Sequence, residues 1–67
     1  MYLSSLIGMI GDSKLYIEIK EKYSGASFGF YTKNDINNYF KNYGDKKIVE
    51  INSQYIDNKR VLVVYFI

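Results

Sequence analysis

The last seven residues, Val61-Leu62-Val63-Val64-Tyr65-Phe66-Ile67, are apolar without a break. Their β-branched and aromatic content favours a strand. A strand that is apolar at every position is buried on both faces. Val61, Val63, Tyr65 and Ile67 line one side, and Leu62, Val64 and Phe66 line the other. Any fold for this chain has to cover both.

The rest of the chain must do this without a staple. It has 67 residues, no Cys and no His. That excludes a disulfide or thiolate metal site and removes the commonest transition-metal ligand. Domains of this size bury only about 60% of their unfolded surface. Packing of the 48% hydrophobic residues, or association with another surface, has to stabilise the fold. No cofactor is expected.

Upstream, Leu15, Ile17, Ile19 and Tyr23 alternate with Lys14, Tyr16, Glu18, Lys20 and Lys22, the period of a half-buried strand over 14–23. Ser24-Gly25-Ala26-Ser27 reads as a turn. Phe28 and Phe30 then share one face of a second strand that closes a hairpin, with Tyr31 on the other. Ile36, Tyr39, Phe40 and Tyr43 follow at i, i+3, i+4 and i+7, predicting an amphipathic helix over 33–43. Thr32 is its expected N-cap and Gly44 its terminator. Lys47–Ile51 reads as a third strand, Asp57-Asn58-Lys59 as a turn and Arg60–Ile67 as the fourth strand.

Leu3, Leu6, Ile7 and Ile10 have helical spacing with Gly11 as a stop, although a strand returning through Gly11-Asp12-Ser13 fits nearly as well. The expected architecture is a single α+β domain over residues 1–67. It is a small antiparallel sheet of about four strands with one amphipathic helix and a possible short N-terminal helix.

Catalysis by side chains needs a nucleophile with its base, a carboxylate pair or a metal. The acids Asp12, Glu18, Glu21, Asp35, Asp45, Glu50 and Asp57 fall in turns, caps or strand faces, and Glu18 and Glu21 lie on opposite faces of one strand. A non-enzymatic protein is expected. The formal charge of +2, with Arg60 the single Arg, disfavours base-specific duplex recognition, which prefers Arg. No segment reaches the roughly 18–20 apolar residues of a membrane span, and the N-terminus has no basic start of a signal peptide. A cytoplasmic protein is the expectation, and the chain reads as a complete short gene product.

Two short motifs bear on nucleic acid. Gly8-Met9-Ile10-Gly11 resembles the GxxG loop of KH modules over about residues 6–28. However, the residues that follow alternate as a strand where that family has a helix, and no basic residue stands between the glycines. Plain turn glycines account for it. Ser27-Phe28-Gly29-Phe30-Tyr31 resembles the aromatic strand of cold-shock and RRM domains, which implies base stacking on a sheet face. It lacks the Lys/Arg-Gly that leads that motif.

Asn, Lys, Ile, Tyr and Phe make up more than half the chain. All have AT-rich codons, as in low-GC bacteria, their phages and some archaeal viruses. Tyr is also enriched at protein interfaces. The functional expectation is a small protein-binding module, specifically a virus- or phage-encoded inhibitor of a host complex of the anti-defence type, acting in the host cytoplasm. The alternative is a single-stranded nucleic-acid binder. The expected interface residues are Tyr16, Lys20 and Tyr31, with Leu62, Val64 and Phe66 as an apolar patch covered by a protein partner or by a second copy in a homodimer. The competing cover for that patch is the N-terminal segment, if it is a helix.

Overall fold

The computed structural model describes residues 1–67. In chain order the elements are α1 (Leu3–Met9), β1 (Tyr16–Glu21), β2 (Ser27–Tyr31), α2 (Ile36–Tyr43), β3 (Ile48–Ile56) and β4 (Lys59–Phe66). The strands form one sheet in the order β2-β1-β4-β3. The fold is α+β, and the sheet is mixed: β1–β2 and β3–β4 are antiparallel hairpins, whereas β1 and β4 meet in parallel, from Tyr16 opposite Val61 to Glu21 opposite Phe66. The fully antiparallel sheet expected from the sequence is corrected here. Two hairpins joined by α2 abut through their inner strands, and alternation along a strand carries no information about its neighbour's direction. The unbroken apolar run lies in β4, an inner strand, as burial on both faces requires.

Both helices lie on one face. Leu3, Leu6 and Ile7 of α1 and Ile36 and Tyr39 of α2 form the core with Ile17, Ile19, Ile48, Val64 and Phe66, with Leu62 packed against it. Val64 is fully buried and Phe66 is 5% exposed. Leu62, Val64 and Phe66 are therefore not an intermolecular surface. The N-terminal segment is a helix, and it supplies their lid together with α2.

Each helix departs from its expected span at one end. α1 ends at Met9, and its C-cap Ile10 turns extended (φ −78°, ψ 118°), ahead of Gly11. Its start has no cap of its own, since Tyr2 makes no side-chain cap bond. The loop after α2 caps it instead. Asp45 accepts from the Ser4 backbone N–H (3.0 Å) and hydroxyl (2.6 Å), and Leu3 N–H donates to the Lys46 carbonyl at 2.8 Å. α2 begins at Ile36, three residues after its expected start, because Thr32 donates its hydroxyl to the Asp35 carboxylate (2.9 Å) and residues 33–35 form a turn. Gly44, at φ 74°, ends α2 as expected, donating to the Phe40 carbonyl.

β3 runs to Ile56, well past the expected Ile51. Asp57 and Asn58, at φ 52° and 64°, make the two-residue turn into β4, both in the left-handed region that a type I′ hairpin turn requires and that Asp and Asn tolerate.

Candidate binding face

The site is built on the side of the sheet that carries no helix. Even-numbered residues of β1 point there, opposite to Ile17 and Ile19. So do Val61 and Val63, which are 3% and 1% exposed yet lie outside the helix-side core. They are shielded by their cross-strand neighbours: Tyr16 and Glu18 on β1, Gln54 and Asn52 on β3. Short β-branched side chains on an inner strand are thus removed from water by longer ones on either side.

A bulge decides what β2 contributes. Glu18 pairs with Phe30 and Lys20 with Ser27, so β2 spends one residue more than β1 between these points. Gly29 sits in that irregularity at φ 102°, a backbone conformation that glycine adopts without strain. The extra residue breaks the alternation, and Phe28 and Phe30 end up on opposite faces.

Phe28 enters the core, edge-on to Tyr43 (5.1 Å) and Phe66 (5.2 Å between centroids). Tyr31 also faces the helices: it is half-buried, edge-on to Tyr39 at 5.6 Å, and donates its hydroxyl to the Phe28 carbonyl at 2.8 Å. Phe30 alone stands on the open face, 52% exposed. The expectation that Tyr31 is an exposed contact residue, with Phe28 and Phe30 side by side, is corrected by this one glycine. Phe30 is the site residue that the sequence reading placed with the wrong neighbour. The Phe-Gly-Phe spacing was the available signal for a bulge.

Around Phe30 the open face forms a depression of about 250 Å³ lined by Tyr16, Phe30, Ile56, Asp57, Lys59 and Val61. The Lys59 ammonium lies 5.2 Å from the centre of the Tyr16 ring, within cation–π range. Lys20 stands further along β1, opposite Tyr65 of β4. Tyr16 and Lys20 thus share this face, whereas Tyr31, Leu62, Val64 and Phe66 belong to the other.

At the far end Lys22 forms an ion pair with Glu50 and lies 5.4 Å over the Tyr65 ring. The Lys22 bond holds the Glu50 carboxyl below the usual range, helped by a bond from Asn52, and the same pair raises Lys22. The face carries Lys20, Lys22 and Lys59 against Glu18, Glu50 and Asp57, so its charges balance. An open polar hollow of about 670 Å³ adjoins the Tyr16 end, where Lys14, Lys59 and Arg60 come together with Asp12.

No group of three or more Asp or Glu side chains converges to hold a metal ion. No helix is long and apolar enough to cross a membrane. No protein-family model, curated protein or solved structure matches the chain.

Proposed function

We propose that this chain is a non-catalytic binding module that engages a protein partner through its helix-free sheet face, centred on Tyr16 and Phe30. The observation that carries this reading is the depression between those two rings. Phe30 is a large apolar side chain left half in water beside a hollow of about 250 Å³, so roughly half of the ~1.5–3 kcal/mol that full burial of such a side chain contributes is still to be gained. An exposed aromatic anchor beside a hollow, rimmed by charges of both signs, is the composition of a protein interface. The balanced Lys and Glu/Asp set argues against a polyanionic partner, whose binding is driven by a concentrated basic surface. Acting by occupying a partner's surface, the module serves as an adaptor or an inhibitor.

Phe30→Ala and Tyr16→Ala test this. Both positions lie outside the helix-side core, so the variants keep wild-type far-UV circular dichroism. Each loses a partner that co-purifies with the wild type and with a Tyr23→Ala control on the hairpin loop. Retention of the partner by both face variants refutes the assignment.

The cluster of Lys14, Lys59 and Arg60 beside Tyr16 supports a second reading, a single-stranded nucleic acid whose bases stack on Tyr16 and Phe30. Submicromolar, steeply salt-dependent binding of a labelled oligonucleotide that is lost in Phe30→Ala would favour it over the protein partner.

A further inference from the structure

The sheet has two edges, and they are built differently. β2 is five residues long and broken by the Gly29 bulge. Short, bulged edges resist pairing with another strand. β3 is nine residues long and is paired with β4 on one side only. Its outer side is occupied at one end by the chain's own start. Ile48 N–H donates to the Met1 carbonyl (2.8 Å), and Tyr2 bridges to Lys47. Beyond an irregularity between Ile48 and Glu50, the ladder to β4 is regular from Glu50 to Ile56.

This free stretch has none of the devices that protect an edge. It contains no Pro and no Lys or Arg. Its one charge, Glu50, is engaged by Lys22 and Asn52. It also exposes two large apolar side chains on the helix side of the sheet, Ile51 at 41% and Tyr55 at 72%.

We propose that residues 50–56 of β3 pair antiparallel with the same residues of a second copy, about a two-fold axis at Ser53. The register is self-complementary. Ile51 faces the second copy's Tyr55 twice, once on each side of the axis, and Asn52 faces Gln54 on the open face. An aromatic beside a β-branched side chain is among the stabilising cross-strand pairs. A closed two-fold arrangement uses the same edge on both copies and leaves no free β3 edge. It joins two four-stranded sheets into one of eight, with both open faces on the same side and the Tyr16–Phe30 depressions free. The inference is independent of what binds that depression. Stand-alone specific interfaces bury about 1,200–2,000 Å². A pairing of seven residues is short by that measure, so the association is concentration-dependent.

The native chain lacks Cys, which makes the test direct. Residues on the axis of an antiparallel pair have Cα atoms about 4.5–5.5 Å apart, within disulfide range. Under mild oxidation Ser53→Cys forms a covalent dimer at least tenfold faster than Ser24→Cys, an exposed control on the β1–β2 loop. A mixture of Ile51→Cys and Tyr55→Cys chains cross-links between the two kinds in preference to either alone. Sedimentation of the unmodified protein shows a monomer–dimer equilibrium. A monomer at every concentration up to the millimolar range, or Ser53→Cys cross-linking no faster than Ser24→Cys, overturns the proposal.

Discussion

Replacing Tyr39 with Phe is expected to stabilise the protein. Tyr39 is fully buried at the centre of the aromatic cluster, with Phe28, Tyr31, Phe40 and Tyr43 at centroid distances of 6.3, 5.6, 5.9 and 5.1 Å. Phe keeps all four ring contacts. What it removes is the hydroxyl, a buried polar atom with no hydrogen-bond partner. Leaving such a group unpaired costs about 1–3 kcal/mol. We expect Tyr39→Phe to gain about 1 kcal/mol, the low end, because the vacated volume loses some dispersion contact. With a urea slope of about 1 kcal/mol/M for a small domain, the midpoint rises by about 1 M. The melting temperature rises by about 4–8 °C.

A second signature comes from pH. Burial pushes the Tyr39 phenol up to about 12, with smaller contributions from Tyr31, Tyr43 and Asp45. The folded state therefore holds this proton more tightly than the unfolded chain. The stability this contributes is fully present below the ordinary value of 10.0 and is lost as pH rises from there towards about 12. Tyr39→Phe lacks that loss, so its advantage over the wild type widens across this window. A destabilisation of 1 kcal/mol or more at neutral pH, or an advantage that does not grow in alkali, would show that the hydroxyl is paired and refute the reasoning.

Two further substitutions test the core and the borrowed cap. Phe66→Asp places a carboxylate at a site 5% exposed against Phe28; losing a core Phe alone costs about 3–5 kcal/mol, comparable to the whole stability of a small domain, so circular dichroism should report an unfolded chain, and a folded product would remove Phe66 from the core. Asp45→Ala deletes the acceptor for Ser4 at the start of α1 and should cost about 1 kcal/mol in urea unfolding. The Ser4 hydroxyl bond holds the Asp45 carboxyl below its usual value, so that stability is present above the ordinary Asp range and disappears as pH falls through the lowered one. Wild type and variant should therefore converge as the pH falls below the ordinary Asp range, and a difference that persists in acid would assign the effect to packing.

The sequence by itself determined the elements that rest on local physics. Period-2 alternation located β1, and Ile17 and Ile19 are core as that pattern requires. Helical spacing and Gly44 located α2 and its end. Uninterrupted apolarity marked β4 as buried on both faces, and Asp57-Asn58 marked the turn before it. Tyr16 and Lys20 were legible as solvent-side residues because a regular strand alternates strictly. β3 beyond Ile51 was not legible, because an edge strand exposed along most of its length has no apolar period; its ladder with β4 alone defines it.

Only the tertiary structure decided the rest. Whether residues 3–10 form a helix was open in sequence, where the spacing favoured a helix but served a hairpin strand nearly as well. Packing against Leu62, Val64 and Phe66, with Asp45 capping from 41 residues away, selects the helix and turns an apparent docking patch into core. The direction of β1 against β4 depends on how two hairpins meet, which neither strand encodes alone. The open face rests on Gly29. One inserted residue sends Phe28 inward and Phe30 outward, because side chains alternate strictly with the backbone and a single extra residue reverses every position beyond it.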